Sequence, residues 1–268
     1  MNFTKMSGAG NDFVVVDNRR LDLPLSRGLI AKLCDRHRGV GADGLLAVEP
    51  SGSGADFRMR YYNADGGEAE MCGNGARCFA RFAARLLAPS PESLSFDTPA
   101  GLIRATFSKG LVTITMSEPR DHREPQDLDI AGATLTAHFL NTGVPHAVVF
   151  VEDAAAVNIA RAGAAIRWHP AFAPEGTNAN FAEVVSPGHL ILRTFERGVE
   201  AETLACGTGV CAVALLHHLT TGAPSPVAVR VRGGETLLVG FEGSGTAFNN
   251  VTLTGPADFV FDGSLSWD

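Results

Sequence analysis

One short pattern occurs twice in this chain. Met71-Cys72-Gly73-Asn74-Gly75-Ala76 and Ala205-Cys206-Gly207-Thr208-Gly209-Val210 share the order Cys-Gly-x-Gly, and their cysteines lie 134 residues apart in a sequence of 268. A repeat at half the chain length implies two similar halves. Each copy opens a run of helical composition, predicted over 74–87 and 208–220; two further helices are expected over 29–36 and 154–167. Much of the remainder reads as short strands rich in β-branched and aromatic residues, broken by Gly, Asn, Asp and Pro. The run Val210-Cys211-Ala212-Val213-Ala214-Leu215-Leu216 is apolar on every face, the mark of a buried helix. The expected fold is therefore α+β: two pseudo-symmetric halves, each a curved, mostly antiparallel sheet wrapped around one central helix.

The repeated motif carries chemistry as well as symmetry. A cysteine at a helix start meets the positive end of the helix dipole and the N–H groups of the first turn, and both favour thiolate. The glycines that follow let the backbone approach a ligand closely, and the exposed N–H groups form an anion site. If two such helix starts face each other, one substrate carboxylate sits on both, and the two sulfurs flank the adjacent carbon. One sulfur then removes a proton from one face while the other returns a proton to the opposite face. A single copy is equally well read as a Gly-rich turn beside an inert buried cysteine; two copies at half-chain spacing weigh against that reading.

Composition narrows the alternatives. The net charge of −7 argues against nonspecific nucleic-acid binding, which needs clustered Lys and Arg. No stretch approaches the roughly 20 apolar residues of a membrane span, and the sequence Met1 to Phe13 has no basic segment followed by an apolar run, so neither a membrane partner nor a signal peptide is expected. The five cysteines, Cys34, Cys72, Cys78, Cys206 and Cys211, include no C-x-x-C, which points to reduced thiols in a cytoplasmic protein and to no metal site. The default of a small buried hydrophobe suits Cys34, Cys78 and Cys211. Lys5, Lys32 and Lys109 are the only lysines, and none has the phosphate-binding setting that a pyridoxal phosphate racemase requires. A redox role for Cys72 and Cys206 is disfavoured by the missing C-x-x-C and by the duplicated anion-binding turns.

Gly8-Ala9-Gly10-Asn11-Asp12-Phe13, Asn63-Ala64-Asp65-Gly66, Glu70-Met71-Cys72-Gly73-Asn74-Gly75-Ala76-Arg77, and Glu196-Arg197-Gly198 followed by Cys206-Gly207-Thr208-Gly209 closely resemble the diaminopimelate epimerase family. The resemblance runs from the N-terminal block to the second central helix. It implies two pseudo-symmetric halves, 1–117 (with the terminal strand 257–268) and 118–256, with the active site in the cleft between them. It implies a cofactor-independent isomerase that interconverts LL- and meso-diaminopimelate in lysine and peptidoglycan precursor biosynthesis, with no metal. A homodimer is the assembly common in the family, although no residue here forces the contact.

By the same resemblance Cys72 and Cys206 are the two acid/base thiols, the first as donor and the second as acceptor in one direction. His146 and Glu196 stand near the thiols, either taking a thiol proton or holding the substrate ammonium. Gly73, Asn74, Gly207 and Thr208 bind the reacting carboxylate through backbone N–H groups. Asn11, Asn63, Asn178, Glu196 and Arg197 are substrate-binding positions, with Arg197 suited to the distal carboxylate by its planar fork. Two positions depart from a common family form: Gly44 stands where many members have Gln, and Val144 where many have Asn. Each change removes a side-chain amide. A related racemase acting on histidine or proline remains the alternative, although the proline type usually has His where this chain has Asn74.

Overall fold

The computed structural model describes residues 1–130 and 132–266; Ala131, Trp267 and Asp268 lie outside the described residues, and with them the last two positions of the expected 257–268 segment. The chain divides into two compact units, Met1–Thr115 with Gly255–Asp268, and Met116–Thr254.

The first unit opens with strands β1 (Asn2–Gly8) and β2 (Asn11–Asp17), joined by Ala9 and Gly10. Both loop residues have positive φ, 57° and 95°, the two-residue turn whose twist suits a hairpin. Asn11 is thereby fixed as the first residue of β2. Helix α1 (Arg27–Cys34) leads to β3 (Gly44–Glu49), which runs parallel to β2. Strand β4 (Phe57–Asn63) returns antiparallel to β3, and the short β5 (Glu68–Ala69) folds back on β4. Helix α2 (Gly73–Arg85) precedes β6 (Ser93–Thr98), which is parallel to β4. Strands β7 (Gly101–Ser108) and β8 (Leu111–Thr115) complete this run as antiparallel neighbours.

The second unit holds β9 (Arg120–Ile130), β10 (Ala133–Asn141), β11 (Pro145–Val151), helix α3 (Ile159–Arg167), β12 (Asn178–Ser186), β13 (His189–Glu196) and β14 (Ala201–Thr203). Helix α4 (Gly207–Thr221) is followed by β15 (Val227–Arg230), β16 (Thr236–Ser244) and β17 (Ala247–Gly255). The terminal strand β18 (Asp258–Ser264) belongs to the first unit, antiparallel to β1.

The two units repeat one pairing scheme. The parallel pairs β2/β3 and β4/β6 recur as β11/β12 and β13/β15. The antiparallel pairs β1/β2, β3/β4 and β6/β7 recur as β10/β11, β12/β13 and β15/β16. Only the outer strand comes from a different place: β18 flanks β1, whereas β9 flanks β10. In each unit the strands surround one helix. Helix α2 packs on β1, β2, β3, β4, β7 and β8, and α4 on β10, β11, β12, β13, β15 and β16. Helix α4 is buried from Gly209 to His217, as its all-round apolar sequence demands. This is the α+β architecture expected from the repeat.

Helix α3 and strand β9 are among the elements that differ from the sequence reading. Helix α3 begins only at Ile159, because Asn158 caps it through a side-chain bond from the Arg161 N–H; residues 154–158 precede the helix. Strand β9 is polar, largely exposed and contains Pro125, so it lacks the apolar alternation that marks a strand in sequence.

Candidate active site

Cys72 is the N-cap of α2, in extended conformation (φ −138°, ψ 121°), and its carbonyl accepts from the Ala76 N–H at 2.7 Å. The backbone N–H groups of the following Gly73-Asn74-Gly75 turn open the helix, where an anion is favoured. The Asn74 side chain is held at both ends: Nδ2 donates to Asn11 Oδ1 at 2.7 Å, and Oδ1 accepts from Arg77 Nη2 at 2.8 Å. Arg77 is completely buried. Asn11 in turn donates through Nδ2 to Asp43 at 2.9 Å. Arg36 binds both Asp43 (2.7 Å) and Asp12 (2.8 Å), and Lys5 binds Asp12 (2.7 Å) and the Gly41 carbonyl. Burial works against ionisation of Asp12, but the bonds from Arg36 and Lys5 outweigh it and hold its pKa at about 2. A chain of charged groups thus fixes which way the Asn11 amide faces.

Asn63 ends β4 and is exposed. Its Oδ1 accepts from the Tyr61 hydroxyl at 3.0 Å. Gly44 pairs directly with Asn63. A Cβ at Gly44 would lie 2.4 Å from the Tyr62 carbonyl oxygen and 2.8 Å from the Tyr61 ring. The aromatic ring therefore covers the strand at Gly44, in the space a longer side chain there would need.

Cys206 is the N-cap of α4 (φ −120°, ψ 106°), and its carbonyl accepts from Val210 N–H at 2.9 Å. Its Sγ lies 3.5 Å from Thr208 Oγ1, which is also 3.0 Å from His146 Nε2. Histidine therefore reaches this sulfur through a hydroxyl. His146 is completely buried. Burial, aided by the Arg197 charge, pushes its pKa down to about 3, so it is neutral at pH 7. Gly207 opens the helix between Cys206 and Thr208, and the Thr208 carbonyl accepts from Thr142 Oγ1 at 2.8 Å.

Glu196 ends β13; burial raises its pKa, with the Thr203 hydroxyl opposing. Asn178 uses both amide atoms on backbone: Nδ2 donates to the Pro145 carbonyl at 2.9 Å, and Oδ1 accepts from the Arg197 N–H at 2.8 Å. It staples the start of β11 to the turn after β13. The Arg197 guanidinium is a quarter exposed and reaches Glu175 only at 3.9 Å.

The first unit thus joins Cys72, Gly73, Asn74 and Asn11, with Asn63 at the end of β4. The second joins Cys206, Gly207, Thr208 and His146, with Asn178 at the start of β12 and Glu196 and Arg197 at the end of β13. Sequence reasoning did not select Asp43, Tyr61, Asn180 or Thr194. Asn180 carried a signal: it is an amide in the otherwise apolar run Ala179-Asn180-Phe181-Ala182, and it is completely buried. Among the described residues no cluster of three or more His, Cys, Asp or Glu fits a metal ion, and no helix is long and apolar enough to cross a membrane.

The duplicated sheet-wrapped helices place the chain in a class of folds seen in solved structures. A phenazine biosynthesis protein of the PhzF family from Bacillus anthracis has a TM-score of 0.74 at 17% identity, covering 100% of this chain and 99% of that one. A probable proline racemase from Agrobacterium radiobacter K84 has a TM-score of 0.72 at 18% identity, covering 100% and 93%. Identity this low speaks to fold alone. The family model described as diaminopimelate epimerase matches residues 3–120 and 138–260. The chain is 45% identical over 276 residues to the diaminopimelate epimerase of Azoarcus sp. (strain BH72), covering 98% of each. It is 43% identical over 277 residues to that of Aquifex aeolicus (strain VF5), covering 99% of this chain and 98% of the relative. The chain belongs to the diaminopimelate epimerase family.

Proposed function

We propose that this chain is an isomerase that interconverts LL- and meso-diaminopimelate without a cofactor, in lysine and peptidoglycan precursor biosynthesis. The observation that carries the reading is a cysteine at the N-cap of each central helix in a chain of this family. In one direction the Cys206 thiolate takes the α-proton and becomes a thiol, while the Cys72 thiol gives its proton to the opposite face and becomes a thiolate. The reverse direction exchanges the roles. The first-turn N–H groups at Gly73-Asn74 and Gly207-Thr208 hold the reacting carboxylate and stabilise the charge left when the α-proton departs. Arg197 takes the distal carboxylate through its fork. Asn63 contacts the distal end, and Asn11 and Asn178 do so with whatever amide capacity their protein bonds leave. Glu196 and His146 tune the thiols.

On the resemblance alone, we assign the site to the cleft between the halves 1–117 (with 257–268) and 118–256. We place the protein in the cytoplasm and take a homodimer as its assembly, on the resemblance and the cysteine pattern alone. The test is conversion of LL-diaminopimelate to the meso isomer by purified, metal-free protein, with L-proline and L-histidine left unturned. Activity abolished by EDTA dialysis and restored by a metal, or turnover of L-proline or L-histidine in its place, overturns the proposal.

A further inference from the structure

We infer that Asn180 and Thr194 are positioning residues for the Cys206 thiol: they hold His146 in the tautomer with hydrogen on Nε2, so that the Thr208 hydroxyl keeps its own hydrogen for the sulfur. This rests on reading Cys206 as an acid/base thiol. A backbone carbonyl sets the first orientation. Asn180 Nδ2 lies 3.0 Å from the Ala147 carbonyl oxygen, which can only accept, so the amide orientation is settled. Its Oδ1 accepts from Thr194 Oγ1 at 3.0 Å, which pins the other end. The same Nδ2 faces His146 Nδ1 at 3.1 Å. One of its two hydrogens goes to Ala147 and the other to the ring, so Nδ1 is a bare acceptor. A neutral imidazole with a bare Nδ1 carries its hydrogen on Nε2.

Nε2–H then donates to Thr208 Oγ1 at 3.0 Å. A hydroxyl has one hydrogen, and with a lone pair occupied by the ring that hydrogen turns to Cys206 Sγ, 3.5 Å away. A hydrogen bond to a charged acceptor is stronger than one to its neutral form, so the arrangement favours the thiolate. When the sulfur takes a substrate proton, the Thr208 hydrogen stays on oxygen; the relay orients and transfers no proton. The charged groups brought to this end of the unit are Arg197, whose charge acts on His146, and Glu196 at the end of β13.

Glycine at 209 makes the relay possible. A Cβ there would lie 2.7 Å from Asn180 Oδ1 and 3.3 Å from His146 Cε1. In the first unit the equivalent Gly75 faces Leu46 and Phe13, each at 3.4 Å. Register makes these true counterparts: Phe13 pairs with Gly44 at the start of β3, as His146 pairs with Asn178 at the start of β12. Leu46 stands two residues beyond Gly44, as Asn180 stands two beyond Asn178. An apolar pair in one unit thus occupies the place of a polar pair in the other. Phe13 and Leu46 have no ring nitrogen or amide with which to form the His146–Asn180 part of the relay in the first unit.

The test uses the full chain. Long-range proton–nitrogen NMR of the wild type should show His146 with hydrogen on Nε2 and none on Nδ1; hydrogen on Nδ1 overturns the inference, with no variant needed. In Asn180→Asp the carboxylate can only accept, so the hydrogen should move to Nδ1. The pH midpoint of iodoacetamide alkylation, read separately on the Cys206 and Cys72 peptides, should rise by about one unit at Cys206 in Thr208→Val, a tenfold loss of thiolate below the midpoint. It should stay put at Cys72, and Thr208→Ser should restore it. An unchanged Cys206 midpoint in Thr208→Val overturns the relay. Failure of wild type to exchange the diaminopimelate α-proton in D₂O, with the Cys206 shift intact, overturns the functional reading and leaves the relay standing.

Discussion

At Arg197 the backbone and the side chain have different employments. The N–H is fixed by Asn178, while the guanidinium, a quarter exposed, meets Glu175 at 3.9 Å and remains open to an anion. Arg197→Lys keeps the charge and loses the fork. We expect kcat/KM for diaminopimelate to fall tenfold to a hundredfold, on the order of 1.5–3 kcal/mol for a lost charge-assisted bond; steady-state kinetics checks it, and near-wild-type values would reduce Arg197 to surface charge. Individual residues were partly legible in the sequence. Cys72 and Cys206 were legible because the Cys-Gly-x-Gly pattern at a helix start occurs twice, half a chain length apart. Asn178 and His146 were found only through the resemblance, and their hydrogen-bond partners were not found at all. Asn180 lies 34 residues from His146 in sequence and meets it only because β11 and β12 pair in parallel; no local pattern encodes such a contact.

The two helix starts are alike in backbone and unlike in surroundings, and the difference predicts how each tolerates substitution. Alanine normally favours a helix over glycine by about 1 kcal/mol. At Gly75 the new methyl group meets ordinary contacts, so Gly75→Ala should leave the thermal midpoint within a few degrees. At Gly209 it meets a fixed amide oxygen at 2.7 Å, so Gly209→Ala should lower both the midpoint and kcat/KM, the latter by tenfold or more. Equal behaviour of the two variants would contradict the unequal packing. The two central helices were readable because their starts carry the repeated motif, and α4 also because its run from Val210 to Leu216 is apolar throughout. Helix α3 was overextended because the capping role of Asn158 is invisible until the chain around it is fixed. Strand β9 escaped because a polar edge-like segment stands as a strand through its pairing with β10, and its own side chains do not report it.

Across the whole molecule the duplication was the most legible property. A single offset of 134 residues relates the two cysteines, and the same order of parallel and antiparallel pairs then recurs in each unit. What the offset does not reveal is the chemical inequality of the halves, since Phe13 and Leu46 give no hint that their counterparts are His146 and Asn180. The outer strand was also partly legible: a terminal strand was expected, and β18 pairs with β1, whereas the corresponding β9 comes from the middle of the chain.

The central claim is that two thiols, and no other agent, carry a proton across one carbon. The most direct measurement is LL-diaminopimelate incubated in D₂O with metal-free wild type, Cys72→Ser and Cys206→Ser proteins, followed by NMR for deuterium at the α-carbon and for the meso isomer. Wild type should give meso product deuterated at the inverted carbon, and neither variant should give inversion. Inversion that survives loss of one cysteine, or that requires an added metal or pyridoxal phosphate, would contradict the claim.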